Sequence, residues 1–253
     1  SGVNGIYSNG TAGEFYNQTE QEFDKVHGIL ATKCNAAGMP FQIGCSHMSP
    51  KISLDRVKRA KVMQPSAIQI ILPDWFVPSM EEIIDFLEVM CAVADPIKLI
   101  LYNPPHAKRK LLPKEFAEIL EAGIPLAGCK VAGGDEQWYN EMNAINIPFS
   151  VFIPGHHLAT GIAKGADGAY SNVACLNPGL AQRWYNNIAN HSGDPFELQA
   201  RIQKFMDDCI VPYIRDKGYS NQAVDKFMAA VGGWTPLSTR LRWPHKWVPA
   251  AEG

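Results

Sequence analysis

The chain of 253 residues is poor in several features that would narrow its function quickly. It has no C-x-x-C pair; the six cysteines (Cys34, Cys45, Cys91, Cys129, Cys175 and Cys209) are scattered, mostly in apolar company. That spacing speaks against a zinc site or a disulfide framework and for a reducing, cytoplasmic compartment. There is no block of basic residues and the net charge is only -2, so nucleic acid and anionic membrane surfaces are not expected partners. No apolar run approaches the length of a membrane span; the longest, such as Ala67-Ile-Gln-Ile-Ile-Leu72, are strand-sized. Low-complexity tracts are absent. Ser1-Gly-Val-Asn-Gly5 shows no charged stretch leading into an apolar one and no initiator Met, so no secretory leader is expected, and a preceding segment is.

With 46% hydrophobic residues the chain can bury a large core. Strand and helix signals alternate. Strands are expected at Gly5–Asn9, Pro40–Gly44, Ala67–Leu72, Ile97–Tyr102, Leu126–Ala132, Phe149–Ile153 and Gly168–Ser171. Helices are expected from Thr19 to about Ala37, Ile52 to Met63, Ser79 onward, Lys114 to Glu121, Glu136 to Ile145, His157 to Lys164 and Pro178 to about Ala189. Thr19-Glu-Gln-Glu22 forms a capping box, Glu81 and Glu82 suit a first turn, and Pro113 suits a helix start. The regular alternation predicts one parallel α/β unit, a (β/α)8 barrel over residues 1–192 whose first βα unit is missing from the seven read here. Residues 193–253 are expected to form a helical extension, Phe196 to Lys217 and Asn221 to Val231, with Trp234, Trp243 and Trp247 in a proline-rich tail.

One lysine stands out. Lys130 lies in the strand-like run Leu126-Ala-Gly-Cys-Lys130-Val-Ala132, just before Gly133-Gly134-Asp135. Burying an ammonium is costly, and burial depresses its pKa, which suits an amine nucleophile. The alternative is an ordinary strand-end lysine snorkelling to water. In a parallel barrel the chemistry gathers at the carboxyl ends of the strands, so Lys130, Tyr102 and the Gly10-Thr-Ala-Gly13 turn would converge on one mouth.

Gly10-Thr-Ala-Gly-Glu14, Tyr102-Asn-Pro-Pro105, Gly128-Cys-Lys130 and Gly165-Ala-Asp-Gly-Ala-Tyr-Ser171 follow one another in an order and spacing that resembles the dihydrodipicolinate synthase/N-acetylneuraminate lyase family of Schiff-base barrels. The resemblance implies that Lys130 attacks the C2 carbonyl of a 2-oxo acid, and that the iminium then serves as an electron sink for chemistry at C3. It implies that Tyr102 shuttles protons and that Thr11 and Ala12 sit in the turn that receives the substrate carboxylate. Each has a plainer reading: Tyr102 as a capped strand-end aromatic, Thr11 as turn chemistry. Glu14 matches the family's Gly-Glu pair and reads as structural. The adjacent His156-His157 lacks a neighbouring carboxylate or thiolate and makes a poor metal site, so no metal or cofactor is expected.

Three departures matter. Ala12 stands where dihydrodipicolinate synthases carry a second threonine, Ala107 where they carry an arginine for the second substrate's carboxylate, and Asp74-Trp75 where they carry a tyrosine pair exchanged between subunits. Lys108 is adjacent to Ala107, but an ammonium does not reproduce the planar fork of a guanidinium. The resulting expectation is a Schiff-base lyase, an aldolase or dehydratase, acting on a 2-oxo acid such as pyruvate or a 2-keto-3-deoxy sugar acid, with Trp75, His47, His156 and Asn172 lining the distal pocket. The alternatives are dihydrodipicolinate synthase itself, condensing pyruvate with aspartate semialdehyde, and a non-catalytic 2-oxo-acid binding protein. The family resemblance further implies a homotetramer.

Overall fold

Seven short strands, each followed by a helix, build the first two-thirds of the molecule, and the computed structural model describes residues 2–252. In order they are β1 (Ile6–Ser8), α1 (Glu20–Ala36), β2 (Phe41–Gly44), α2 (Pro50–Val62), β3 (Ala67–Ile71), α3 (Met80–Ala94), β4 (Lys98–Tyr102), α4 (Pro113–Glu121), β5 (Leu126–Lys130), α5 (Glu136–Asn143), β6 (Ser150–Pro154), α6 (Leu158–Ala163) and β7 (Gly168–Tyr170). All pairings are parallel and the sheet order is β1-β2-β3-β4-β5-β6-β7. This is the architecture of the (β/α)8 barrel with seven strands in place of eight. Between the two edges of the sheet, the rings of Tyr7 on β1 and Tyr170 on β7 meet edge to face at 5.1 Å.

The strands are buried on both sides, as parallel strands covered by helices must be. In β3 all five residues are buried, including Gln69. Ile43, Ile68, Ile70, Leu99, Leu101 and Cys129 join Phe23, Val57, Leu87 and Phe116 of the helices in one core. The expected caps are present: Thr19 with Glu22, and Ser79 with Glu82, each satisfy two N–H groups at their helix starts.

Element boundaries differ from the sequence reading where local chemistry competes. Helix α2 begins at Pro50, two residues earlier than expected, because Ser49 caps it and proline occupies the first turn, where an N–H has no partner to lose. His157 belongs to a short 3-10 turn, Gly155–His157, and the α-helix starts at Leu158. An unexpected turn of helix, α7 (Val173–Leu176), precedes α8 (Pro178–Ala189). The single helix expected over Phe196–Lys217 is α9 (Pro195–Phe205), a π-turn over Met206–Ile210, and α10 (Val211–Arg215). Pro212 accounts for the break, since it cannot donate to the preceding turn and its ring crowds that turn.

Helix α11 (Asn221–Gly232) then returns across the carboxyl ends of the strands, packing on α7 and on the turn after β1. A second core gathers Leu158, Val173, Trp184, Ile202, Ile210, Phe227, Leu241 and Val248. The tail is laced to the same turn. The Arg242 N–H donates to Glu14 Oε1 at 3.0 Å, and its guanidinium reaches Glu22 at 2.7 Å. Among the described residues no helix is long and apolar enough to cross a membrane, and all six cysteines are free.

The loops after β1 and β2 are tied together by Arg56, whose side chain is fully buried. Its guanidinium donates to the Ser46 carbonyl at 2.6 Å, the Phe15 carbonyl at 3.2 Å and Glu20 at 2.8 Å, and lies 5.0 Å over the Phe23 ring. A lysine could neither fork nor stack in this way. Arg56→Lys is expected to lower the unfolding free energy by roughly 2 kcal/mol, because two carbonyls lose their buried donors; urea denaturation followed by circular dichroism measures it.

Candidate active site

Strand register brings the first pair together. Tyr102 and Lys130 are the last residues of adjacent strands β4 and β5 and are register partners. The Lys130 Nζ lies 4.0 Å from the Tyr102 ring centroid. The strand ends are pinned from the neighbouring chain: Asn103 donates its backbone N–H to the Lys130 carbonyl at 3.0 Å. The buried Asn103 side chain then bonds the Arg109 carbonyl and the Leu111 N–H, both at 2.8 Å, fixing the loop that leaves the mouth.

Two further tyrosines, missed in the sequence, close around the amine. Tyr7 and Tyr170 lie with ring centroids 5.4 and 5.2 Å from Lys130 Nζ. Their hydroxyls are held by buried amides: Tyr7 donates to Gln69 Oε1 and Tyr170 to Gln42 Oε1. Lys130 thus sits on a floor of aromatic faces, which attract a cation yet do not hydrate it. Burial brings its pKa down to about 8, with the Asp225 carboxylate pulling in the opposite direction. The same burial raises Tyr7 well above the ordinary phenol value and lifts Tyr170 to about 12, so both stay protonated.

The turn after β1 supplies the opposite wall. Thr11–Gly13 forms a 3-10 turn with Ala12 exposed, and the Thr11 hydroxyl lies against the Tyr102 phenol. Burial raises the Tyr102 pKa and the contact with Thr11 opposes the rise. Glu14 follows in the left-handed region at φ 55° and is buried, its carboxylate spent on the tail's Arg242. It braces the turn, in keeping with its structural reading.

The other expected residues divide. His156 and Asn172 come together: Asn172 Oδ1 accepts from the His156 backbone N–H at 3.2 Å, and its Nδ2 lies 2.9 Å from His156 Nδ1. Burial depresses both His156 and His157, whose rings are 4.0 Å apart. His47 is turned to local structure, its Nδ1 accepting from the Ser49 N–H at 2.9 Å where α2 begins. Trp75 stands 70% exposed beyond the cluster, its ring against Phe76 and 5.4 Å from the Lys108 ammonium. Among the described residues no three His, Cys, Asp or Glu side chains converge as a metal site would require.

Asp225 on α11 is the residue that sequence reading had least chance of finding. It is one of several acidic residues on an exposed-looking helix, and only the return of α11 over the strand ends gives it meaning. Burial lifts its pKa to about 6, with Lys130 opposing. Tyr7, Tyr170 and Gln69 did carry a signal, since polar groups in strands buried on both faces need partners.

The Gln69 amide nitrogen has no hydrogen-bond partner, so its carbonyl bond to Tyr7 is what anchors the side chain. Tyr7→Phe is expected to cost about 1–3 kcal/mol by stranding that carbonyl as well, and adding Gln69→Leu should recover most of the loss. A double-mutant cycle by denaturant unfolding tests the coupling.

Comparison with known proteins accords with the geometry. The sequence profile described as the Dihydrodipicolinate synthetase family matches residues 1–217. The chain is 26% identical over 215 residues to a 4-hydroxy-tetrahydrodipicolinate synthase of Stenotrophomonas maltophilia, covering 82% of this chain and 70% of that one. It is 24% identical over 240 residues to a probable 5-dehydro-4-deoxyglucarate dehydratase of Methylobacterium radiotolerans, covering 91% and 75%. Dihydrodipicolinate synthase from Bacteroides thetaiotaomicron superposes with a TM-score of 0.83 at 21% identity, over 99% of this chain and 84% of that one, which establishes the barrel fold. With its barrel, its strand-end lysine and tyrosine, and a profile match over most of its length, the chain belongs to the dihydrodipicolinate synthetase family.

Proposed function

We propose that this protein is a Schiff-base lyase, an aldolase or dehydratase, acting on a 2-oxo acid such as pyruvate or a 2-keto-3-deoxy sugar acid. The observation that carries the reading is Lys130: an amine at a strand's carboxyl end, enclosed by Tyr7, Tyr102 and Tyr170, with a pKa lowered by burial to about 8. An amine with that pKa is about one-tenth neutral at pH 7, against fewer than about one in a thousand for an ordinary lysine. The neutral form attacks the C2 carbonyl; Tyr102, in touch with Thr11, is the proton shuttle beside it. The Thr11–Gly13 turn offers N–H groups for the substrate carboxylate.

Two features favour a lyase over condensation with aspartate semialdehyde. Ala107 supplies no guanidinium for a second carboxylate, and the His156–Asn172 pair offers neutral hydrogen-bonding groups suited to hydroxyls. Similarity to a probable 5-dehydro-4-deoxyglucarate dehydratase is in keeping with a sugar-acid substrate. A purely binding role would need neither nucleophile nor shuttle. Subunit association, if it follows the family, would use the exposed Trp75, Phe76 and Val77 beyond β3.

Borohydride reduction in the presence of pyruvate, and of a panel of 2-keto-3-deoxy sugar acids, should leave a stable adduct on Lys130 detectable by peptide mass spectrometry. Lys130→Ala should abolish the adduct, and Tyr102→Phe should slow turnover by about 10²-fold or more. Trapping should accelerate as pH rises toward about 8, since the reactive amine is the unprotonated form. Absence of an adduct with every 2-oxo acid would sink the reading.

A further inference from the structure

Helix α11 carries Gln222, Asp225, Ala229 and Gly232 at spacings that place them on one face. Both ends of that face are fixed. Gln222 donates to the Tyr16 hydroxyl at 2.8 Å, beside the turn after β1, and a Cβ at Gly232 would meet the Leu176 carbonyl of α7 at 2.1 Å. Asp225, between them, is therefore turned toward the mouth of the barrel. Its carboxylate acts on three groups there: Lys130 on β5, Tyr102 on β4 and Cys175 on α7. Lys130 is the one cation acting on Asp225, and Asp225 the one anion acting on Lys130. Ala12 meanwhile leaves the neighbouring turn without the second hydroxyl that the family resemblance would place there.

We propose that Asp225 is an additional catalytic acid–base of this site, the residue that removes a proton from the Lys130 ammonium and returns it to the oxygen leaving C2. The proposal rests on the Schiff-base reading above. When an amine and a 2-oxo acid form an iminium, an ammonium with three N–H bonds and a carbonyl become an iminium with one N–H bond and a water. Two protons must travel from nitrogen to oxygen. In the first step Asp225 takes one proton, freeing the nitrogen lone pair to form the N–C2 bond while the carbonyl π pair moves to oxygen. In the second, the remaining proton passes to oxygen through Tyr102 and Thr11. The C2–O bond then breaks with its electron pair on oxygen, Asp225 gives up its proton, and water departs. No oxidant or co-reactant is consumed, and Asp225 ends as the counter-charge to the iminium.

The electrostatics suit this exchange. In the empty site Lys130 and Asp225 titrate near 8 and 6, about two pH units apart, so the proton rests on the amine. A substrate carboxylate entering the Thr11–Gly13 turn brings a second negative charge next to α11, which raises the affinity of Asp225 for a proton. Binding thus promotes the transfer that makes the nucleophile, and it neutralises the group that would otherwise repel the substrate.

The test uses pyruvate alone, because an enamine formed from it exchanges the C3 protons with D2O, read by proton NMR without knowledge of the natural substrate. Asp225→Asn should lower the kcat for exchange by about 10²-fold or more. The pyruvate concentration for half-maximal rate should stay the same or fall, since a repelling charge is gone. The slow phase should appear equally in borohydride trapping, and the acid limb near pH 6 should vanish from the exchange profile. Asp225→Glu, which restores a carboxylate, should recover exchange to within about tenfold of the unsubstituted protein, and far-ultraviolet circular dichroism with thermal melting verifies that both variants fold. Exchange by Asp225→Asn within about threefold of the unsubstituted protein, with the acid limb intact, would overturn the proposal and leave the Schiff-base reading standing. Loss of exchange that Asp225→Glu does not restore at all would equally overturn it, as a packing effect. If the unsubstituted protein neither exchanges nor traps pyruvate, the Lys130 reading fails first and this proposal with it.

Discussion

A single ammonium held out of water is the constraint on which the rest of the site depends. Lys130 stands at the end of β5 above aromatic rings, and everything around it compensates in some way for removing that charge from solvent. The three tyrosine faces offer quadrupole attraction without hydration. Asp225 offers a counter-charge from a helix that comes from the far end of the chain. The remaining cost appears as a depressed pKa, which is the property an amine nucleophile needs at neutral pH. Stability given up at this position and reactivity gained there have one physical origin.

The supporting structure distributes the work by distance from the amine. Below the ring floor, the Gln69 and Gln42 amides fix the phenol hydroxyls of Tyr7 and Tyr170 inside an otherwise apolar barrel. At the rim, Arg56 joins the loops after β1 and β2, and Glu14 joins the Gly-Thr-Ala-Gly turn to the C-terminal tail through Arg242. The turn that faces the substrate is thus secured from both directions, by the barrel's own helix α2 and by residues more than two hundred positions later. Such bracing keeps the N–H groups of a short turn oriented, which a carboxylate site requires.

The chain's departures from its relatives fall on one side of the reaction. The parts that handle C2, namely the lysine, the tyrosine and the first hydroxyl of the turn, are retained. The parts that would read a second carboxylate or borrow a tyrosine from a neighbouring subunit are replaced by Ala107 and Asp74-Trp75. Two residues expected from strand-end position alone serve other ends: His47 orders the start of α2, and Trp75 stands out in solvent. A strand end gives a residue access to the mouth, but the direction of its side chain depends on the loop that follows.

Much was legible in the sequence because it is encoded locally. Period-two burial, capping boxes at Thr19 and Ser79, and the strand–helix alternation fix the elements and, through the chirality of parallel crossovers, the order of the sheet. Register follows once the strands are adjacent, so Tyr102 and Lys130 were expected to meet, and they do. What the sequence could not give are the contacts made by long return. The break before Pro212 re-aims the last helices, and α11 then crosses the strand ends and presents Asp225 to an amine ninety-five positions earlier. Tyr7 and Tyr170, 163 positions apart, become neighbours because the two edges of the sheet curve toward each other. Local chemistry determined the barrel and its nucleophile; tertiary packing alone decided which distant groups hold that nucleophile's charge.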